Sequence, residues 1–489
     1  MAAPDDEFDE KMDESSDEQL AAQHISPWAE EKPDENLEHP IPGSGEPDFY
    51  WCDVSSRTDN FPPRPQRDCR DKSLGYYREG TVKLPFAESD KIQFQSTRLR
   101  WELIKEAINS FANGVRDLDH LRCAISTYNK NYKTPSTLRR IVGDDPAEYK
   151  TVMDLLTRIA RLANLSECIC REALPTLPAL VGNRPYKLLS VTMSQEQAGC
   201  LLAYGFFCCP FPTQSGFFNH FNFTDIHDER KHKSITNCMP SGIISFSRQS
   251  WKGVLDERDW VSFHKVDKPL CPLIVRDQGA IEETVGCIHV DFANEFIGGG
   301  VLGHGTVQEE IMFLCCPELI ISLLLCERYG STLRWAPYFG PREKRDCYGR
   351  ARTTVCAIDA IRYESASFHH QFRPEEVQRE TGKAYAGYRR MSPDSPKRPV
   401  ATGNWGCGVF NGDKELKSLI QLVACSTAER PMVYYTFNDP ALADGLRKVH
   451  QKLTEKCIDT GRLYAMILNF HESREIYLFR YILETLKDH

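Results

Sequence analysis

Apolar residues recur at helical spacing in the first regularly patterned part of the chain. From Trp101 to Phe111 they fall three or four residues apart, and the same spacing returns from Val152 to Leu165. This is the spacing of one buried helix face. Ser194, followed by Gln-Glu-Gln, is typical of a helix start. We therefore predict about four to six helices between Arg98 and Phe207.

Near residue 240 the pattern changes to short apolar runs separated by helical stretches. The predicted strands are 242–246, 273–275, 286–291, 354–358 and 432–437. The predicted helices between and after them are 317–328, 375–388, 416–425 and 441–454. Such alternation is typical of an α/β layered domain. No internal repeat suggests a solenoid or propeller.

These patterns divide the chain into four parts. We expect an acidic tail at 1–48, followed at 49–97 by an extended segment, rich in Pro, Arg and aromatic residues, that wraps a domain. A helical accessory domain is expected at 98–235. The α/β domain is expected at 236–489.

Composition narrows the class of protein. The chain has 489 residues, 41% hydrophobic and 26% charged, as in ordinary globular proteins. Collagen-like, fully disordered and membrane classes are excluded on this basis. The longest run without a polar residue, Ala198 to Pro212, has 15 residues, whereas a bilayer span needs about 20. The acidic N-terminal stretch does not have the pattern of a signal peptide.

Charge is distributed unevenly. Residues 1–48 hold 16 acidic side chains and 2 lysines, a net charge of −14, so the rest of the chain carries +5. Such a tail has too little apolar surface to offset the entropy of ordering, and we predict that it is disordered. It is a solvating tail or it has a regulatory or localising role. The small basic excess of the body does not by itself indicate a polyanionic ligand.

The cysteines indicate reduced thiols. Nineteen are present, an odd number, and no two have C-x-x-C spacing, which argues against a zinc ribbon or a disulfide scaffold. We expect an intracellular protein with buried thiols. No cluster of residues has metal-ligand spacing, so neither a metal nor a cofactor is expected.

A first glycine loop, residues 292–307, follows the predicted strand that ends at Asp291. Five glycines lie between Gly298 and Gly305, and Gln308-Glu309-Glu310 opens an apolar helix. Glycines let backbone N–H groups approach a ligand, and a loop before a helix suits phosphate. The alternative is an ordinary turn. The G-x-G-x-x-G spacing is present, but the surrounding pattern is neither that of a dinucleotide-binding turn nor that of a P-loop.

Glu309 and Glu310 can have different roles. Adjacent helical residues point about 100° apart, so the two are not the facing carboxylates of an ordinary glycosidase. One can hold a sugar hydroxyl while the other transfers a proton. The alternative is that Gln-Glu-Glu only favours the first helical turn.

A second glycine loop, residues 401–413, precedes another predicted helix. Its glycines and Asn404 offer N–H donors. The alternative is a tight strand-to-helix connection with a packing tryptophan, Trp405. Cys407 lies between glycines, but the spacing of a nucleophile elbow is not met.

Taken together, the two loops, Ile281-Glu282-Glu283 and Tyr434-Tyr435-Thr436-Phe437 resemble the poly(ADP-ribose) glycohydrolase family, whose signature is a triple glycine followed by Gln-Glu-Glu. The resemblance runs from about residue 84 to 470 and is closest between 268 and 440. It implies a three-layer α/β/α macrodomain fold with a mixed sheet, occupying 236–489 as the catalytic domain. It also implies hydrolysis of the ribose–ribose O-glycosidic bonds of poly(ADP-ribose), with release of ADP-ribose.

The resemblance implies catalytic roles for three carboxylates. Glu310 would be the general acid and then the base, Glu309 would hold ribose hydroxyls, and Asp291 would support the site. Gln308 and Asn294 would contact ribose. The remaining substrate-binding residues implied are Ile281, Glu282, Gly298, Gly299, Gly300, Tyr329, Asn404, Trp405, Gly406, Cys407, Gly408, Val409, Phe410 and Phe437.

Within this set, each chemical group of the substrate has an expected partner. Gly298–Gly300 and Asn404–Val409 would cradle the diphosphate. Ile281 and Glu282 would meet adenine, with Glu282 accepting from the exocyclic amine. Phe437 and Phe410 would pack against adenosine or ribose.

One departure from the family pattern follows Arg328. The strand and the Tyr-rich turn expected there are missing from the sequence, and Tyr329 stands as the surviving last tyrosine. Two functions therefore remain open: a glycohydrolase, and an ADP-ribose-binding variant with impaired catalysis. A third, a dinucleotide oxidoreductase, has the glycine spacing but not its context.

The expected partners are poly(ADP-ribose) on modified proteins and the product ADP-ribose. Neither a membrane nor sequence-specific nucleic acid is expected, and we predict a monomer in the nucleus, the cytoplasm or both. A role in the response to DNA damage would follow from the substrate.

Overall fold

The computed structural model describes residues 82, 84–85, 100–130, 132–133, 138–139, 145–169, 174, 177, 189–209, 221, 243–249, 262–327, 332–335, 354–389 and 397–487. The predicted acidic tail, 1–48, lies outside these residues. Of the predicted wrapping segment, 49–97, only Val82, Leu84 and Pro85 are described, and all three are buried.

Eleven α-helices are present in the described residues. They are α1 Arg100–Ala112, α2 Leu118–Ser126, α3 Pro146–Ile169, α4 Gln195–Phe206, α5 Gln308–Cys315, α6 Ser322–Leu325, α7 Pro374–Tyr388, α8 Lys414–Thr427, α9 Pro440–Glu455, α10 Thr460–Phe470 and α11 Leu478–Thr485. Short 3-10 helices are formed by Phe263–Lys265, Ile281–Glu283, Pro317–Ile321 and Ser365–Phe372. None of the described helices is long and apolar enough to cross a membrane.

The eight described strands form one mixed sheet. They are β1 Leu189–Ser194, β2 Ile243–Gln249, β3 Leu273–Arg276, β4 Ile288–Asp291, β5 Thr332–Trp335, β6 Thr354–Ala357, β7 Val400–Gly403 and β8 Met432–Tyr435. Their order across the sheet is β1-β2-β5-β6-β4-β7-β8-β3. The first four are joined antiparallel, and the pairs from β6 to β3 are parallel. This mixed sheet between helices confirms the predicted fold class.

Two apolar cores cover the two faces of the sheet. Along β6, Val355 packs in the first core and Cys356 in the second, as expected because neighbouring strand residues point to opposite faces. The first core holds the apolar faces of α1, α3, α4 and α5. The second holds α7 to α11. The helical region therefore shares one continuous core with α5, the helix that begins with Gln-Glu-Glu.

Three successive C-terminal helices begin at aspartates that cap their first turns. Asp413 accepts from the N–H of Leu416 at 2.8 Å, and Asp459 caps α10 in the same way. Asp439 caps α9, where Pro440 stands at the first helical position. Such caps satisfy N–H groups that would otherwise lack a partner. The caps fix where each connecting loop ends.

Strand β1 lies in the part of the chain where only helices were predicted. Leu189–Ser194 pairs antiparallel with Ile243–Gln249 across the proposed domain boundary at 235. The prediction that α4 begins after Ser194 agrees with the structure. Strand β1 is short and lies among residues with strong helical periodicity, so the sequence pattern did not distinguish it as a strand.

Candidate active site

Asp291 ends β4 in the interior of the sheet, between β6 and β7. Its side chain is fully buried, and neither carboxylate oxygen has a hydrogen-bond partner among the described residues. Burial raises the pKa of Asp291 well above its ordinary value, and the nearby carboxylates of Glu310 and Glu282 raise it further. An unpartnered buried acid is costly for the fold, which favours a functional role at this position.

The triple glycine brings the backbone against two carboxylates. Gly298 and Gly299 have φ of +83° and +49°, a region in which glycine is favoured. A Cβ on Gly299 would lie 2.5 Å from Oε1 of Glu310 and 2.7 Å from Oε2 of Glu309. The loop conformation and this close approach both require glycine here.

Both glutamates at the start of α5 are buried and held by backbone donors. Glu309 accepts from the N–H of Gly298 at 2.6 Å and from that of Asn294 at 2.9 Å. Glu310 accepts from Gly300 at 2.8 Å and from Val307, the residue before the helix, at 2.9 Å. The two side chains thus point to different parts of the first glycine loop.

Because their N–H groups have these acceptors, Gly298 and Gly300 do not present free donors. The N–H of Gly299 donates to the carbonyl of Phe296 at 3.1 Å. In this structure the triple glycine therefore holds the carboxylates in place. The expectation that it also cradles a diphosphate stays a prediction.

Gln308 joins α5 to the end of β4. Its Oε1 accepts from the N–H of Phe292 at 2.8 Å, and its Nε2 donates to the carbonyl of Val290 at 3.1 Å. The two bonded backbone groups belong to the residues on either side of Asp291. Asn294 accepts from the N–H of Phe296 at 3.0 Å, which tightens the turn after the strand. Both residues shape the site, and their predicted contacts with ribose are untested.

The electrostatics of the site are those of a crowded acidic pocket. Burial raises the pKa of Glu309 well above its ordinary value, and Asp291 is the next cause, while the N–H donors of Asn294 and Gly298 oppose the rise. Burial likewise raises the pKa of half-buried Glu282. Carboxylic acids with raised pKa values can hold a proton near neutral pH, as general acid catalysis requires.

Buried contacts hold in place the Ile281–Glu283 turn, which carries Glu282. Ile281 is fully buried, and Thr284 bonds the hydroxyl of Tyr435 at 2.6 Å. The carbonyl of Thr284 lies 2.7 Å from Nε2 of His289. Burial lowers the pKa of His289 to about 4, so this imidazole is neutral at physiological pH. The anchors fix the Ile281–Glu283 turn beside β4 and β8.

The second glycine loop leaves several N–H groups without an acceptor. Gly412 donates to the carbonyl of Gly406 at 2.8 Å, and the N–H groups of Trp405 and Cys407 are also used inside the loop. No acceptor within the described residues takes the N–H of Gly406, Gly408, Val409 or Phe410. Val409 is 65% exposed. Adjacent unpaired backbone donors suit an anionic ligand.

Two residues predicted in this loop have structural contacts. Trp405 is fully buried, with its indole N–H on the carbonyl of Ile358 at 2.9 Å. Asn404 donates to the carbonyl of Thr436 and accepts from the hydroxyl of Tyr434. Trp405 thus packs in the core, as in the alternative interpretation of this loop as a tight strand-to-helix connection. Its side chain cannot reach a ligand without rearrangement. Asn404 ties the loop to the end of β8.

Two aromatic side chains lie near the same edge of the sheet. Phe437 follows β8 with a φ of +53° and is 43% exposed, and a Cβ on Gly403 would lie 2.8 Å from its ring. A bulky residue with positive φ is uncommon and is associated with functional sites. Phe410 is partly buried against the second core. Tyr329, the third predicted aromatic, lies outside the described residues.

The predicted site residues that the structure describes lie along one edge of the sheet. Strands β4, β7 and β8 are parallel neighbours, so their carboxyl ends and the loops after them meet there. The four carboxylates lie around β4 and α5, and the donor loop follows β7. No group of three or more potential metal ligands suited to holding an ion occurs in the described ranges.

Sequence reasoning missed some residues that shape the site. Gly305 was noted only as one glycine of the loop, yet a Cβ there would overlap the carboxylate of Glu310. Its place three residues before Gln308 was the available signal. Thr284 carried no sequence signal, because its bond to the hydroxyl of Tyr435 joins distant segments of the chain.

The mixed sheet with helices on both faces and the acidic site at its carboxyl edge together define a macrodomain-type protein. A family model described as the macro-domain fold of poly(ADP-ribose) glycohydrolase matches residues 260–328 and 327–444. The model of that family's helical domain matches residues 145–248. The chain belongs to the poly(ADP-ribose) glycohydrolase family.

Individual relatives agree with this membership. Poly(ADP-ribose) glycohydrolase 1 of Caenorhabditis elegans is 33% identical over 373 residues, which cover 67% of this chain and 46% of the relative. Poly(ADP-ribose) glycohydrolase 1 of Arabidopsis thaliana is 30% identical over 389 residues, 58% of this chain and 70% of the relative. The chain thus spans about half the length of the nematode relative.

A crystal structure of the glycohydrolase from Thermomonospora curvata, bound to the inhibitor ADP-HPD, is 15% identical with a TM-score of 0.27. The match covers 47% of this chain and 88% of that chain.

The family match also bears on the departure after Arg328. The match consists of two segments that overlap at residues 327 and 328, so it is divided at the same place. In the structure, Thr332–Trp335 forms β5 and pairs with both β2 and β6. The sheet is therefore continuous across this point in the described residues.

Proposed function

We propose that this chain hydrolyses the ribose–ribose O-glycosidic bonds of poly(ADP-ribose) and releases ADP-ribose. The observation that carries the proposal is the acidic site itself. Glu310 is buried, oriented by two backbone donors and surrounded by Asp291 and Glu309. Family membership supplies the substrate, since the relatives bear the name of this activity.

In the proposed mechanism Glu310 acts first as an acid. It donates its proton to the departing ribose oxygen as the glycosidic bond breaks, and the sugar develops oxocarbenium character. It then takes a proton from the water that attacks the anomeric carbon, which restores the acid. Glu309 accepts hydrogen bonds from ribose hydroxyls. Asp291, buried at the end of β4 beside these glutamates, supports the acidic site.

The rest of the substrate would be bound along the same edge. The unpaired N–H groups of Gly406, Gly408, Val409 and Phe410 supply donors for the diphosphate. Glu282 would accept from the adenine amine, and Phe437 would pack on the adenosine. These assignments rest on the motif resemblance together with the exposure and hydrogen bonding described above.

The cellular setting is also proposed. Proteins modified with poly(ADP-ribose) would be the macromolecular partners, and a monomer would suffice because all proposed catalytic residues come from one chain. Action in the nucleus, the cytoplasm or both, including during the response to DNA damage, is consistent with this substrate.

The test is release of free ADP-ribose from purified poly(ADP-ribose). We expect the wild-type chain to release it and Glu310→Gln to reduce the rate at least about 10³-fold. Binding of ADP-ribose should change little, because the amide keeps the shape of the side chain. Glu472→Gln, at an exposed glutamate away from the site, is the matched control.

Two outcomes would contradict the proposal. A folded wild-type sample that binds ADP-ribose without releasing it would indicate the binding-only alternative. Release by Glu310→Gln at the wild-type rate would show that another group is the acid.

A further inference from the structure

Lys417 is buried to an unusual degree for a lysine. It lies in the first turn of α8, and its residue exposure is 0%. Lysine is almost never fully buried without a specific partner. An apolar residue would serve the packing of this helix equally well, and the proposed mechanism does not use the ammonium group. The position therefore needs an explanation.

The side chain of Lys417 passes directly beneath the second glycine loop. Its ammonium nitrogen lies 4.2 Å from the centre of the Trp405 ring, within the range of a cation–π interaction. A Cβ on Gly406 would lie 3.4 Å from Nζ, and one on Gly412 would lie 3.2 Å from Cε. Gly406 and Gly412 are the residues whose backbones close the loop. The lysine thus supports the point where the two ends of the loop meet.

The ammonium group is tied to a second helix. Lys417 forms a buried ion pair with Glu380 of α7, whose other carboxylate oxygen is bound by Arg379 and by the N–H of Ile361. Burial lowers the pKa of Lys417, and Arg379 adds to this, whereas Asp359 and Glu376 oppose it. Helices α7 and α8 and the second glycine loop therefore all contact the ammonium group of Lys417.

We propose that Lys417 is a positioning residue of the second glycine loop, which it holds in the conformation that presents four unpaired N–H groups to the diphosphate of ADP-ribose. The proposal rests on the proposed function of this loop. Without the support, Gly406 and its neighbours can rotate their N–H groups away or bond them internally. Affinity for a diphosphate would then fall, while the acid Glu310, held by the other loop, would be unaffected.

The decisive variant is the pair Lys417→Met with Glu380→Gln. It removes both charges and keeps similar volume, an exchange that folded proteins often tolerate. We expect a Tm close to that of the wild type, an ADP-ribose Kd raised about tenfold or more and a raised KM with kcat little changed. Inhibition by adenosine, which has no diphosphate, should be unchanged.

The matched control is Lys383→Met. Lys383 is also a buried lysine in an ion pair and lies on α7, but it has no described contact with the loop, and Asp359 keeps Arg379 as a partner. We expect the ADP-ribose affinity of this variant to stay at the wild-type value. Equal weakening in Lys383→Met and in the double variant would overturn the proposal, as would wild-type affinity in a folded Lys417→Met/Glu380→Gln protein.

If that double variant does not fold, Gly412→Ala provides a second test of the proposal. A methyl group there would press on the Gly406 carbonyl at 2.7 Å and on Lys417, displacing the loop from its support while keeping every charge. Weakened ADP-ribose binding with unchanged inhibition by adenosine supports the premise of the proposal, that the conformation of this loop sets the affinity for the diphosphate. Unchanged binding overturns it. Failure of the proposed function is separate, since it would appear as absent ADP-ribose release by the wild type.

Discussion

At the scale of single residues, the site is defined by how closely backbone and carboxylate approach each other. Glu309 and Glu310 use four N–H donors from one loop and the helix start. Such preorganised contacts fix the proposed acid, Glu310, in place before any ligand binds. Small changes in the glycines should therefore affect catalysis more than stability.

Gly305→Ala tests this directly. The new methyl group would overlap the Glu310 carboxylate, which must rotate away from Gly300 and Val307. We expect kcat to fall about 10²-fold or more in a polymer-hydrolysis assay, because misplacement by about 1 Å has effects of this size. Gly303→Ala is the control in the same loop, since its nearest neighbour would lie at 3.7 Å. Equal losses in both variants would argue against the collision.

Asp291→Asn should raise stability while it lowers activity. The folded-state pKa of Asp291 lies above its unfolded value, so its contribution to stability is present at low pH and is lost as pH rises through the folded pKa. At pH 8 the variant should exceed the wild type by about 1–3 kcal/mol, and the gap should narrow as pH falls. Chemical denaturation at several pH values measures it.

Asp359→Asn is the control, because its expected effect on stability has the opposite sign to that of Asp291→Asn. Burial tends to raise the pKa of Asp359, but Lys383 and Arg379 lower this pKa below its ordinary value. Its stabilising effect is therefore present above the unfolded pKa and is lost as pH falls. This variant should be less stable than the wild type at neutral pH. A gain in stability from both substitutions would contradict the electrostatic account.

At the scale of elements, the contact between β4 and α5 sets the site. Gln308 bonds the backbone on either side of Asp291, so one side chain aligns the strand end with the helix start. Strand and helix patterns predicted both elements from sequence, because β4 lies in a short run that carries Ile288 and Val290, and α5 is an apolar helix that follows a glycine loop. The bonds of Gln308 were not predictable, since they join segments that periodicity treats separately.

Gln308→Met is expected to loosen this junction. It removes one acceptor and one donor from partly buried backbone groups, at a cost of about 1–3 kcal/mol in the free energy of unfolding. kcat should fall more than KM rises, because Asp291 moves relative to Glu310. Denaturant titration and steady-state kinetics measure the two effects. A change in KM alone would instead indicate that Gln308 mainly binds substrate.

At the same scale, the sequence predicted three of the long C-terminal helices and four of the short strands within two residues at each end, but it missed three strands. Helices α7, α8 and α9 were predicted within two residues at each end, because their apolar spacing agrees with a proline at the start of α7 and with aspartate caps at the starts of α8 and α9. Strands β1, β5 and β7 were missed. The last two are no shorter than predicted strands such as β3, but their sequences Thr-Leu-Arg-Trp and Val-Ala-Thr-Gly contain no apolar run like the Leu-Ile-Val of β3.

At the scale of the whole molecule, charge separates the tail from the body. Residues 1–48 carry −14 and the remainder +5, and the proposed substrate is a polyanion. Removing residues 1–48 should therefore raise kcat/KM on the polymer several-fold at low salt, by about the factor that modest steering gives. The gain should vanish near 0.5 M salt, where screening acts within about 4–5 Å. Parallel salt dependences for the two proteins would contradict this.

The core that the helical region shares with α5 has a consequence for genetics. Phe111 of α1 and Leu156 of α3 belong to the same apolar cluster as Met312 and Phe313 of α5, the helix that carries the proposed catalytic glutamates. Truncating a buried Phe or Leu costs about 2–5 kcal/mol, a large part of the stability of a typical domain. A screen for loss-of-function alleles should therefore recover changes throughout residues 100–206, many of them temperature-sensitive, although none of the proposed catalytic residues lies there.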